Sequence, residues 1–189
     1  MTCIVGFVEK KHVYMAGDHM GSDGYSDLHY NNQKVFVNGD FIVGYCGSFR
    51  MGQILQYDWK QPKRSKTCTD DLQYLVKMVI PSIMRTFDCA GFLSTEHTHC
   101  ENGKKTGGDF LLGYKGKLYH VQSDFSVLED TRGYDAAGCG MDFAKGALYW
   151  LSKDKTLSPE DKLRKSLEAT EEHSTPVRVD WDRFKVIKK

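Results

Sequence analysis

Residues 2–18 read Thr2-Cys3-Ile4-Val5-Gly6-Phe7-Val8-Glu9-Lys10-Lys11-His12-Val13-Tyr14-Met15-Ala16-Gly17-Asp18, and this stretch decides the fold. Thr2 to Val8 is mostly apolar and β-branched, which suits a pleated, buried strand. Glu9-Lys10-Lys11 is short and polar, the make-up of a turn. His12 to Ala16 returns as a second strand, which Gly17-Asp18 ends. The chain opens with an antiparallel hairpin, and the first residue after the initiator methionine is a threonine.

Working outward, His19 to Asn32 is rich in Gly, Ser, Asp, Asn and Tyr and reads as a functional loop or a ragged strand. A second hairpin follows, with Lys34 to Val37, the turn Asn38-Gly39-Asp40, and Phe41 to Tyr45. Helical spacing predicts a helix over Ser48 to Trp59 and another after Thr69, its expected N-cap, with Pro81 as a kink or a boundary. The basic run Lys60 to Lys66 reads as a solvated loop in preference to a docking patch. Strands resume at Asp109 to Tyr114, Lys117 to Gln122 and Ser126 to Leu128. A helix is expected over Met141 to Leu151. Ser158-Pro159-Glu160-Asp161 then opens another that reaches His173, with serine as cap and acids in the first turn. Val177 to Ile187 reads as one or two strands. Antiparallel hairpins with segregated helix pairs imply an α+β protein in which two packed sheets are covered by helices on each outer face.

At 189 residues the chain is long enough for one domain with its own core, spanning 1–189, and too short for two ordinary ones. With 26 Lys and Arg against 25 Asp and Glu, the net charge of +1 supplies no global drive toward nucleic acid. No apolar run is long enough for a membrane span, and MTCIVGFVEK lacks the features of a secretory signal. The six cysteines include no CxxC pair and read as reduced thiols in a cytoplasmic protein. Cys89, His97, His99 and Cys100 match no zinc spacing, so neither a metal nor a cofactor is expected. There is no GxxxxGK[ST] loop, so any ATP dependence belongs to a separate chain.

The chemistry gathers at the front. An N-terminal threonine supplies a hydroxyl and a free α-amine from one residue, and the amine can take the hydroxyl proton. A lysine nearby favours the neutral amine and the developing alkoxide, and a carboxylate can hold that lysine. Thr2, Lys34 and Asp18 are the residue types required. Taken singly, each also reads as an ordinary strand, surface or turn residue.

Thr2-Cys3-Ile4-Val5-Gly6, Ala16-Gly17-Asp18, Gln33-Lys34-Val35 and Gly44-Tyr45-Cys46-Gly47, taken in order, resemble the front of the proteasome β-type subunits and the HslV-like peptidases. The separations from threonine to aspartate and lysine match that pattern without a gap. Ala137-Gly138-Cys139-Gly140 before a helix is similar to the family's Gly-Ser-Gly. The resemblance covers most of the chain and is weakest over Asp88 to Gly107.

The resemblance implies the four-layer αββα fold of the N-terminal nucleophile hydrolases and a threonine-type endopeptidase acting after loss of Met1. It carries Thr2 over as nucleophile, Lys34 as the tuning charge, Asp18 as its orienting partner and Gly47 as the oxyanion donor. Ser22 falls where the substrate-binding strand begins, so that extended peptide would pair there. Tyr45 and Cys46 fall near the side-chain pocket. Cys139 stands where the family has a serine. Glu172 stands where it has an aspartate, with Ser174 or Thr175 as the following hydroxyl. The implied partners are a peptide or unfolded-protein substrate, further copies in a homo-oligomeric ring and a possible separate ATPase. Retention of Thr2 and Lys34 favours the enzyme. Cys139, Glu172 and an attached Met1 favour the alternative, a non-catalytic scaffold subunit of the same fold. Amide hydrolysis of a small metabolite is a weaker third reading.

Overall fold

The opening hairpin forms as its pattern requires. β1 (Cys3–Glu9) and β2 (His12–Gly17) pair antiparallel, and Lys10 and Lys11 turn the chain with φ of 49° and 64°. Positive φ at both turn residues matches the twist of the flanking strands. The computed structural model describes residues 2–22, 27–29, 33–93 and 108–189.

Among the described residues, β1 also pairs with β10 (Tyr134–Gly138), and β11 (Ile187–Lys188) joins β2, giving the order β10-β1-β2-β11. A second antiparallel sheet runs β5 (Val35–Asn38), β6 (Phe41–Tyr45), β7 (Phe110–Tyr114), β8 (Lys117–Val121) and β9 (Val127–Glu129). β3 (Met20–Ser22) and β4 (Asp27–His29) form a small ribbon.

Side-chain alternation stacks the layers. Ile4 points between the sheets and joins Met15, Ile42 and Leu111 there. Its neighbours Cys3 and Val5 point the other way, into a core shared with Ala144, Leu148, Leu163 and Leu167. Those four residues come from α4 (Met141–Leu151) and α5 (Pro159–His173). The second sheet buries Phe41, Val43 and Phe110 against Met51, Ile54, Leu75 and Ile83. These last belong to α1 (Phe49–Gln53) with its following π turn Ile54–Asp58, and to α2 (Asp71–Tyr74), the π turn Leu75–Val79 and α3 (Ile80–Cys89). The result is the expected α+β fold, two antiparallel sheets face to face with helices outside each.

Several local expectations need correction. Asp70, not Thr69, caps α2, its carboxylate accepting from Gln73 N at 2.8 Å. Pro81 does mark a boundary, but one inside a continuous helix, where the π turn Leu75–Val79 gives way to α3. Of Val177 to Ile187 only the last residue enters a strand, pairing as β11 together with Lys188. Val177 and Val179 are buried, but Asp180 and Arg183 close a turn through side chain and backbone in place of a ladder. β10 was not anticipated, because Tyr134-Asp135-Ala136-Ala137-Gly138 is short and poor in β-branched residues. At the end of the predicted Ser48 to Trp59 helix the two aromatics part company. Trp59 is fully buried and donates from Nε1 to Ser82 Oγ at 2.8 Å, while Tyr57 is exposed.

Candidate active site

Strand register assembles the site. Cys3 faces Gly138 across β1 and β10, which sets Thr2 beside Cys139. Ile4 faces Gly17 across β1 and β2, which brings Asp18 alongside Cys3, and Asp18 N donates to Cys3 O at 3.1 Å. At the same end of the second sheet, Tyr45 N donates to Lys34 O at 3.0 Å and Cys46 N to Asp109 O at 3.2 Å. Residues far apart in sequence meet where the strands of both sheets end.

Thr2, Asp18 and Lys34 are each buried. Lys34 Nζ donates to Asp18 Oδ1 at 2.9 Å and Oδ2 at 3.0 Å, and also to Met20 O. Asp18 Oδ1 accepts in addition from Cys3 N at 2.9 Å. One carboxylate oxygen thus ties the ammonium to the peptide unit that follows Thr2. Burial pushes the Asp18 carboxyl above its ordinary range, opposed by the Lys34 charge and the Cys3 N–H. The pair sits away from solvent, where its geometry is held by three elements and not by a flexible surface arm.

Cys139 approaches Thr2 from the other side. Its Sγ accepts from Thr2 N at 3.3 Å and donates to Thr2 O at 3.3 Å. Gly138 makes this approach possible. Its φ is +96°, and a Cβ there would stand 2.2 Å from Thr2 O. Gly47 is needed for a different reason. A Cβ would meet nothing within 4 Å, but its φ of +88° disfavours any L side chain.

A cavity of about 410 Å³ opens here, lined by Thr2, Cys46, Gly47, Asp109, Gly138 and Cys139. Gly108 and Ser123 complete the wall. The size is in the usual range for a small-ligand or side-chain pocket. Burial, helped by the Asp109 charge, pushes the Cys46 thiol up to about 12, so this sulfur stays protonated. The Cys3 thiol is likewise raised by burial.

Of the residues expected at the site, Thr2, Asp18, Lys34, Gly47, Cys46 and Cys139 come together at this end of the sandwich. Three others fall elsewhere or only partly in view. The Tyr45 ring packs among Phe36 and Phe49 in the helix-facing core and does not line the cavity, because alternation along β6 sends it away from the sheet interface. Glu172 is on the exposed face of α5. The inward face of α5 carries the hydroxyls Ser166 and Thr170 beside Leu163 and Leu167, and Thr170 hydrogen-bonds the Cys3 thiol. The helical period that buries Thr170 necessarily points Glu172 outward. Ser22 pairs with Asp27 through β3 and β4, but its side chain lies outside the described residues. So do Met1, His97, His99 and Cys100. Among the described residues no group of three or more His, Cys, Asp or Glu could hold a metal ion. Asp109 and Ser123 were not anticipated. Their only sequence signal is Gly108-Asp109 before a strand and Ser123-Asp124 after one.

No protein-family model matches the chain, and neither does any curated protein. Solved structures do. BPH of Thiobacillus denitrificans is similar at a TM-score of 0.77 and 18% identity, covering 99% of this chain and 97% of that one. The fold is proteasome-like. HslV from Trypanosoma brucei matches with a TM-score of 0.66 and 15% identity over 98% of each chain. Anbu, an ancestral beta-subunit, from Yersinia bercovieri matches with 0.64 and 13% identity, over 98% of this chain and 80% of that one. At such identities the likeness concerns the fold alone, and the αββα layering expected from the sequence agrees with it. Among the described residues no helix is long and apolar enough to cross a membrane.

Proposed function

We propose that the chain is a threonine-type endopeptidase that cuts peptide bonds with Thr2 after Met1 has been removed. The observation that carries this reading is Asp18 Oδ1, which holds both Lys34 Nζ and Cys3 N at 2.9 Å and so fixes a buried ammonium beside the threonine. The freed Thr2 amine takes the hydroxyl proton, and the alkoxide attacks the substrate carbonyl. The Gly47 N–H stabilises the oxyanion, the amine returns the proton to the leaving nitrogen, and water then hydrolyses the acyl-threonine. Lys34 favours the neutral amine and the alkoxide through its charge. Asp18 acts through Lys34 as a positioning residue, and Cys139 orients the Thr2 nitrogen. Several copies assembled in a cytoplasmic ring, with a separate ATPase feeding unfolded protein, would complete the peptidase.

The alternative, a non-catalytic subunit of this fold, is favoured by one observation. Glu172 faces outward, so the carboxylate expected from that part of α5 is missing from the site.

The experiment is intact mass combined with a peptide epoxyketone, which needs hydroxyl and amine on one residue. BPH has been solved in complex with epoxomicin, a relevant choice of probe. Protein made in bacteria should be lighter by one methionine and carry the adduct on its N-terminal peptide, and Thr2→Ala should lose adduct and peptidase activity together. Peptidase activity that survives Thr2→Ala, or an unreactive chain with Met1 gone, overturns the reading.

A further inference from the structure

The wall of the Thr2 cavity includes a carboxylate, Asp109, that the proposed chemistry does not use. Asp109 stands at the start of β7, held by its backbone carbonyl, which accepts from Cys46 N at 3.2 Å and Cys46 Sγ at 3.0 Å. It also lines a second cavity of about 270 Å³. The other acids of that second cavity are all paired. Glu129 meets Lys117 at 2.8 Å, Asp130 meets Arg132 at 2.8 Å, and Asp135 meets Lys145 at 2.8 Å and His120 at 2.9 Å. Lys34, the buried cation of the site, is committed to Asp18. Among the described residues no cation pairs with the Asp109 carboxylate. Its charge reaches into the Thr2 cavity, where it contributes to raising the Cys46 thiol. The rest of that cavity is walled by small residues, Gly47, Gly108, Gly138, Ser123 and the two cysteines, which leaves length for a long side chain.

We propose that Asp109 makes this a subsite for a basic residue, so that the peptide held against Thr2 places a lysine or arginine side chain in the cavity. The inference rests on the peptidase reading for its substrate, and it names what that substrate carries. An unpaired carboxylate in a partly enclosed pocket is left desolvated by a neutral side chain and satisfied by an ammonium or guanidinium. An acidic side chain is repelled. Small walls without a second cation leave no counter-signal for an anion.

Two measurements separate this from the peptidase reading. The first is cleavage of fluorogenic peptides that differ at a single residue, stepped along the peptide, as lysine, norleucine or glutamate. At one position kcat/KM should favour lysine over norleucine by about tenfold, the range of a hydrogen bond to a charged group. Asp109→Asn should remove most of that ratio, and Asp109→Lys should turn it toward glutamate. The second is binding of the same peptides to Thr2→Ala, which does not depend on turnover. The lysine peptide should bind more tightly than the norleucine one, less so at high salt, and the difference should vanish in Thr2→Ala/Asp109→Asn. Charge selectivity in binding without cleavage by the parent chain sinks the peptidase reading and leaves the subsite standing. Efficient cleavage and binding with no lysine preference overturn the subsite, as does an Asp109→Asn variant that slows all peptides equally.

Discussion

Cys139 Sγ lies 3.3 Å from both the nitrogen and the carbonyl oxygen of Thr2, bracketing the residue that would carry the reaction. A thiol bonds more weakly than a hydroxyl, so residue 2 is held here by two soft contacts where a serine would make firmer ones. Cys139→Ala removes both. It should lower kcat by about tenfold, the worth of roughly one orienting hydrogen bond, with a smaller change in KM. Steady-state peptide hydrolysis reads this directly, and a KM effect alone would place Cys139 in substrate binding.

Asp18 and Lys34 form a buried pair, for which losing one partner is far worse than losing both. Asp18→Asn should cost on the order of 3–5 kcal/mol in denaturant unfolding. Asp18→Leu/Lys34→Met should recover much of that stability and none of the hydrolysis. Activity in the double variant would remove Lys34 from the mechanism.

Gly47→Ala places a methyl in open space but asks alanine to adopt a φ of +88°. The backbone should relax and move the amide from its position. Loss of one oxyanion donor lowers kcat by about 10²–10³, and the same loss is expected here with the melting temperature little changed. Unaltered kcat would mean the oxyanion is held by another group.

Asp135 bridges the two sheets through His120 and is also bound by Lys145 and by Ala136 N at 2.8 Å. Burial pushes its carboxyl up, but these partners together outweigh that and hold it below the ordinary carboxylate range. A lowered folded-state pKa gives stability that is present above the unfolded value, about 3.9, and lost as pH falls through the folded one. Asp135→Asn should therefore be clearly less stable than the parent at pH 7 and approach it below about pH 4. Melting curves across that window test the sign.

The expected homo-oligomer must use a surface other than Trp59. Trp59→Glu should unfold the chain, because it places a charge in the core and breaks the bond to Ser82. Tyr57→Glu and Trp150→Glu alter exposed aromatics and should leave the fold intact. Light scattering should show a particle many times 21.5 kDa for the parent, and at least one of these two variants should shift it downward. A clean monomer for the parent contradicts the ring.

The hairpins, the α4 and α5 helices and the Ser158 cap were legible because each depends on neighbours a few residues apart. The alternation Cys3, Ile4, Val5 shows a strand buried on both faces, and Ser158-Pro159 starts a helix wherever it is placed. Thr2, Asp18 and Lys34 were legible because they flank such elements in a familiar order. Glu172 and Tyr45 went wrong for one shared reason. Which way a side chain faces depends on the phase of its helix or strand against a layer that the local sequence does not contain. β10 and Asp109 were missed because their meaning is a pairing. Gly138 sits against Cys3, and Asp109 against Cys46, only through register across long stretches of chain. Local propensity set the elements of this protein, and packing of the two sheets decided which residues share the end where Thr2 lies.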